Sequence, residues 1–298
     1  MRPGLRAGRA VGRGVGRAVA ALVVLTWIAG CSTVLGIDAN RRVAAVTADA
    51  GAWDCLGLPD EKLDPNEQVS VTLVVMDAIQ GSTAAGAIDG GSDLDTVSAT
   101  WLPGVAVRGC AVRDLDCRDG LTPVVTTNGM GAATFQLTQS FNGFFDMSRS
   151  DLVPASLYPG NFLTGQSIAS FPAYEISPSE LRDLASSISS NPVGLDPNGT
   201  VGHALVTIYD CQDHQAPGVS VTYSVSGAET VPFYFQDGLP SGKARETDGF
   251  GIAGTLNAPI GSLTVTATLS STKTAVGMTA FSVRPGALTF AWIRARTH

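Results

Sequence analysis

Apolar and polar residues alternate over short stretches along most of the chain, and many of the apolar positions are β-branched. Val69-Ser70-Val71-Thr72-Leu73-Val74-Val75 and Ala204-Leu205-Val206-Thr207-Ile208-Tyr209 show this period of two. In an extended chain it sends successive side chains to opposite faces, so each run predicts a half-buried strand. Further on, Pro103-Gly104-Val105-Ala106-Val107 matches Pro217-Gly218-Val219-Ser220-Val221-Thr222-Tyr223, a turn feeding a second strand. Thr127-Asn128-Gly129-Met130-Gly131 then matches Thr247-Asp248-Gly249-Phe250-Gly251, and Asn-Gly and Asp-Gly are hairpin signals because both tolerate the positive φ of tight turns. The second series continues into strands at Gly261-Ser262-Leu263-Thr264-Val265-Thr266-Ala267 and Ala287-Leu288-Thr289-Phe290. Two copies of one small antiparallel β-domain account for this order.

The period changes in two places. Ser177-Pro178-Ser179-Glu180 has a capping Ser, a Pro at the first helical position and a Glu that completes a capping box. Leu181, Leu184, Ala185 and Ile188 follow on one face, which predicts a short helix packed on a sandwich edge. At the N-terminus, Arg2, Arg6, Arg9, Arg13 and Arg17 precede an apolar run of about a dozen residues, short of the roughly 20 that a membrane-spanning helix needs. That run ends at Ile28-Ala29-Gly30-Cys31.

The last four residues resemble the lipobox of bacterial lipoproteins. The resemblance implies cleavage before Cys31, a thioether-linked diacylglycerol on its sulfur and an acyl chain on its new amine, enough lipid for stable anchoring. Ser32 is not the Asp that retains such proteins in the inner membrane, which points to the outer membrane. The order strand, Pro-Gly-Val, Thr-Asp-Gly-x-Gly, Pro-x-Gly-x-Leu-Thr-Val and closing strand resembles the carboxypeptidase regulatory-like domain, a transthyretin-like β-sandwich. Residues 199–296 carry it well. The first copy departs from it through an insertion around Asp89 to Thr100 and through Gln139-Ser140-Phe141-Asn142-Gly143-Phe144-Phe145 in place of the Pro-x-Gly turn. Paired domains behind a lipobox, with Trp53-Asp54-Cys55-Leu56-Gly57 near the start, are similar to lipoproteins predicted for myxobacteria. The resemblance implies a noncatalytic folding, spacing or binding module.

The expected architecture is therefore mainly β: two antiparallel sandwiches, transthyretin-like or Ig-like, joined by a short helical linker. The boundaries are 1–30 for a signal peptide, 31–66 for a lipidated tether, 67–172 for the first sandwich, 173–198 for the linker and 199–296 for the second. The Trp53 to Gly57 knot is expected to tuck against the first sandwich.

Charge narrows the partners. Removing residues 1–30 leaves 14 basic residues against 26 acidic ones, a net charge of −12, which repels phosphate backbones and anionic headgroups. Nucleic acid is excluded as a partner, and the membrane is reached through the lipid on Cys31. An oxidising compartment allows disulfides among the other four cysteines. Cys110 and Cys117 flank a turn-rich stretch and are expected to pair. Cys55 and Cys211 either pair across the domains or stay free as small buried hydrophobes.

Candidate chemistry is sparse, and no cofactor or catalytic residue is expected. Asp89, Asp93 and Asp95 offer closely spaced oxygens for calcium, although the spacing is not that of an EF-hand and a flexible acidic loop is the preferred reading. Of the three histidines, His203 borders a strand, His298 is terminal, and His214 lies near Asp210 and Asp213, where a hydrolase site could be drawn. In Val231-Pro232-Phe233-Tyr234-Phe235 alternation puts Phe233 and Phe235 on one face and Tyr234 on the other. Two Phe in the core with Tyr234 at the rim is the preferred reading, and a carbohydrate or peptide platform is the alternative. These features predict a noncatalytic envelope lipoprotein with structural, adhesive or spacing roles, with a glycan- or peptide-binding lipoprotein as the alternative and a hydrolase as a third.

Overall fold

The computed structural model describes residues 51–56, 66–78, 100–160, 168–190, 193–237 and 239–295. Cys31 and the acidic stretch with Asp89, Asp93 and Asp95 lie outside the described residues. The first half contains β1 (Gln68–Asp77), β2 (Ala106–Ala111), β3 (Val125–Thr126), β4 (Ala132–Thr138), β5 (Gly143–Ser148), β6 (Ala155–Tyr158) and β7 (Ile168–Glu175). Helix α1 (Pro178–Ile188) follows. The second half contains β8 (Val201–Tyr209), β9 (Val219–Tyr223), β10 (Val231–Gln236), β11 (Leu239–Ser241), β12 (Ile252–Pro259), β13 (Gly261–Leu269), β14 (Ala275–Val283) and β15 (Leu288–Arg294). The protein is mainly β, with sheets stacked as in a sandwich.

The two halves repeat the same pairings. In the first, β1 lies between β4, antiparallel, and β7, parallel. In the second, β8 lies between β12, antiparallel, and β15, parallel. The facing strands repeat as well: β5 pairs antiparallel with β2 and β6, and β13 with β9 and β14. The repeat in the sequence is thus a repeat of topology.

The halves are then joined strand to strand. β15 pairs in parallel with β6, so the sheets of the two halves merge into one nine-stranded sheet of order β11-β10-β12-β8-β15-β6-β5-β2-β3. The sheet β4-β1-β7 packs on one face of it, where Leu73, Phe135 and Phe171 share a core with Phe145, Leu157 and Phe290. The sheet β14-β13-β9 packs on the other, where Leu263, Val265 and Phe281 meet Phe144, Tyr158 and Ile293. Every residue of β6 and the first six of β15 are buried, because these strands are covered on both faces. Such strands read as continuous rather than alternating apolar runs, as Leu288-Thr289-Phe290-Ala291-Trp292-Ile293 does.

The repeated turns are built alike. Thr127 is buried; its hydroxyl donates to Leu102 O at 2.6 Å and accepts from Val105 N at 3.0 Å. Thr247 does the same with Ala216 O at 2.7 Å and Val219 N at 3.0 Å. The positive φ falls on the second glycine of each motif, 67° at Gly131 and 61° at Gly251, and not on the Asn-Gly or Asp-Gly pair itself. The reason is that Asn128 and Asp248 use their side chains to accept the N–H two residues on, which sets the turn before the glycine is reached. A Cβ at Gly131 would lie 2.4 Å from Val75 O, and one at Gly251 2.6 Å from Ile208 O, so each site needs glycine twice over.

Helix α1 forms as its sequence predicts. Glu180 N donates to the Ser177 hydroxyl and Ser177 N to the Glu180 carboxylate, closing the capping box. Leu181, Leu184 and Ala185 are buried. They share a core with Phe233, Phe235 and Leu256, so the helix covers the part of the large sheet that β4-β1-β7 leaves open.

Candidate functional site at the seam and the tether dock

Side chains of both halves meet at the seam between them. Arg284, just after β14, reaches back to the first half and donates to Asp146 Oδ1 at 2.5 Å and to Ser156 Oγ at 2.6 Å. Nearby, Ser282 N donates to the Tyr158 hydroxyl at 3.3 Å. Tyr158 also stacks on Phe144 at 4.8 Å between ring centroids and meets Phe281 at 5.8 Å. A half-buried Arg engaging a carboxylate and a hydroxyl from two strands fixes register more than it adds stability. Sequence reading gave no hint of this role, since Arg284 precedes Pro285-Gly286 and looks like part of a turn.

The second feature is the segment Gly51–Leu56. Cys55 forms a disulfide with Cys211, in the turn after β8, and Cys211 N donates to Ala52 O at 2.9 Å. Trp53 and Leu56 pack on the core beneath β14-β13-β9. The expected tuck against the first half is therefore corrected: the segment docks on the second half, because a covalent bond and a backbone hydrogen bond hold it there. Cys110 and Cys117 are joined in the second disulfide, which closes the loop after β2.

Phe233, Tyr234 and Phe235 are 1%, 7% and 3% exposed: the two Phe lie in the core, as the preferred reading has them, Tyr234 is buried and not at the rim, and the alternative of an exposed aromatic platform is corrected. Both Phe enter the core under α1. Tyr234 faces the other layer, where its hydroxyl accepts from Val221 N at 2.9 Å and occupies a backbone group of the edge strand β9. Pairing of the core on both faces leaves this strand no ring for a ligand.

His298 lies outside the described residues, and the two described histidines do not assemble chemistry. The His214 side chain is 68% exposed, and its Nδ1 lies 3.9 Å from Asp210 Oδ2, beyond hydrogen-bond reach. Asp210 is instead occupied in the turn, accepting from Gln212 N and His214 N. His203 lies within β8 and is fully buried. Its Nε2 is 2.8 Å from Gly194 O and its Nδ1 accepts from Asn257 N at 3.2 Å, which places the proton of the neutral ring on Nε2. Burial pushes its pKa down, and the Gly194 carbonyl opposes that only in part. His203 is a bridge between chain segments.

A small apolar cavity of about 30 Å³ lies between α1 and the large sheet, lined by Leu181, Leu184, Phe233, Phe235, Leu256 and Phe290 among others. It offers no convergent polar groups. One buried titratable group stands apart: Glu175, at the end of β7, is 0% exposed and both its carboxylate oxygens lack hydrogen-bond partners. Burial holds its pKa well above the usual carboxylate range; Arg149 opposes this, and Asp146 and Asp151 add to it. Among the described residues no group of three or more His, Cys, Asp or Glu could hold a metal ion, and no helix is long and apolar enough to cross a membrane.

No protein-family model matches the chain, and no curated protein does. Among solved structures, the TIE protein of Bacillus anthracis is 14% identical with a TM-score of 0.22, over 77% of this chain and 34% of that one. This chain thus spans about a third of that protein's length. A mutant of the shaft pilin SpaA of Lactobacillus rhamnosus GG is 12% identical with a TM-score of 0.21, over 78% of this chain and 98% of that one. GBS52, the minor pilin of Streptococcus agalactiae, is 13% identical with a TM-score of 0.23, over 77% and 96%. At TM-scores this low the likenesses carry no functional argument, and the fold rests on the strand pairings above.

Proposed function

We propose that this protein is a noncatalytic envelope lipoprotein, anchored through lipid on Cys31 and holding two joined β-modules as a rigid spacer at the outer membrane surface. One observation carries the reading. The chain has five cysteines, and four of them are used in the two disulfides, so Cys31 is left with no cysteine of its own chain to pair with. Disulfides belong to proteins outside the cytosol, and an odd cysteine directly after a short apolar run has lipidation as its ready use. The matched Pro-Gly and Thr-x-Gly-x-Gly turns support assigning both halves to the carboxypeptidase regulatory-like type. Burial of Phe233, Tyr234 and Phe235 removes the feature that favoured a glycan or peptide ligand, and exposure of His214 removes the one that favoured hydrolysis.

The test is mass spectrometry of the protein recovered from membrane fractions. A chain that begins at Cys31 and carries diacylglycerol is expected. Intact residues 1–30 or an unmodified Cys31 thiol would overturn the proposal.

A further inference from the structure

The disulfide between Cys55 and Cys211 decides where the tether leaves the folded body. By sequence order the tether leads to β1 and the first half. By covalent connection it stops at the second half, in the turn that follows β8. Strands β8, β15 and β6 all run in the same direction, so the ends at Tyr209, Arg294 and Tyr158 lie together on one side of the large sheet. The docked Gly51–Leu56 segment sits at that side, with its Ala52 carbonyl on Cys211 N. The turns before β6 and β8, residues 149–153 and 196–200, lie at the opposite ends of those strands.

We propose that the Cys55–Cys211 bond is a mooring that turns the C-terminal ends of β8 and β15 toward the membrane and presents the opposite end outward. This rests on the lipid-anchor reading of Cys31. From Cys31 to Cys55 there are 24 residues, a covalent path 13 residues shorter than the 37 from Cys31 to Gln68. The nine residues of β8 span about 30 Å. The covalent path from the lipid reaches the body first at the Cys55–Cys211 bond, and that point of attachment sets which end stays near the bilayer. A tether leaving from β1 would have 37 residues between Cys31 and Gln68 and would start from the other half. The moored end carries Asp54, Asp210 and Asp213, with Arg294 held by Asp213 at 3.0 Å, and that charge keeps it off anionic headgroups. The bond orients the body without docking it on the lipid.

The experiment uses the full chain, lipidated in its host and reconstituted into vesicles containing a headgroup-linked quencher. A fluorescent amino acid is encoded at His214, beside the mooring, or at Asn198, just before β8; both are exposed. Retention of the protein through a carbonate wash comes first. Loss of the protein at that step overturns the anchor reading and this proposal with it. For retained protein, quenching at position 214 is expected to exceed that at 198 by about twofold or more. Equal quenching, or stronger quenching at 198, overturns the mooring while leaving the anchor intact. In Cys55→Ser/Cys211→Ser the difference is expected to collapse, whereas Cys110→Ser/Cys117→Ser should keep it. The 214 and 198 comparison in the otherwise unaltered chain decides the matter even if the first double variant fails to fold.

Discussion

β7 and β15 hold the same place in the two halves, each parallel to the first strand of its repeat, yet one is an edge and the other is a centre. The equivalent hydrogen bonds of Val75 and Ile208 to the glycines of the two turns align the copies, which sets Pro172 of β7 against Trp292 of β15. Proline has no N–H and is tolerated only where a strand has no neighbour to receive it. β7 meets that condition. β15 pairs on both sides, and at the matching position it carries an indole that packs edge-on against Phe171. One repeated strand arrangement thus serves in two ways: the first half closes its outer strand with proline, and the second opens its own to receive β6.

The strongest way to break that comparison is to exchange the two residues. Trp292→Pro removes a ladder donor and a large buried side chain from a central strand, and is expected to cost more than about 3 kcal/mol and abolish folding. Pro172→Ala should stay within about 1 kcal/mol. Urea denaturation followed by circular dichroism separates the two outcomes.

The turns test the likeness of the halves instead of their difference. Gly131→Ala and Gly251→Ala each force a Cβ into the left-handed region and onto a backbone carbonyl. Each is expected to cost about 1–3 kcal/mol for the strain, with the clash added, and the two losses should match. A smaller matched pair is Thr127→Val and Thr247→Val. Each leaves a buried N–H unsatisfied at a cost of about 1–3 kcal/mol. If one member of either pair is neutral while the other unfolds the protein, the two turns are not equivalent.

Glu175 gives the smallest effect and the one with no counterpart, because the same alignment puts Ala295 in its place. Its folded pKa is raised above the unfolded value of about 4.5, so the folded state holds its proton more tightly. This contribution to stability is full below the unfolded pKa and is lost as pH rises through the folded one. Glu175→Met is therefore expected to stabilise the protein by about 1 kcal/mol at pH 8, with less gain at pH 5. An equal gain at both values would show that burial of the carboxyl does not set its protonation.

Much of this was written locally in the chain. The alternation around Val71 and Val206 and the capping box at Ser177 and Glu180 depend on neighbours within a few residues, and each forms as the sequence predicts; the paired Thr-x-Gly-x-Gly turns form too, but they join strands that do not pair with each other and take their positive φ at the second glycine, so they are not the expected hairpins. The seam was hidden because its cause is not local. β6 is four residues, Ala155 to Tyr158, between Pro154 and Pro159, too short to show a period. The continuous apolar run of β15 looks the same for any element buried on both faces. Sequence likewise left Cys55 and Cys211 undecided, since 156 residues separate them and only the folded second half brings them together. At Phe233 the alternation was legible, but not that α1 would cover it.

The central claim is that the two halves are one body, held together through β6 and β15. Amide hydrogen exchange of the full chain under native conditions, read by mass spectrometry, tests it most directly. Amides of Ala155–Tyr158 and Leu288–Ala291 are expected to exchange as slowly as those of β1 and β8, by the opening of the whole molecule. Fast exchange at the seam, with each half protected independently, would contradict it.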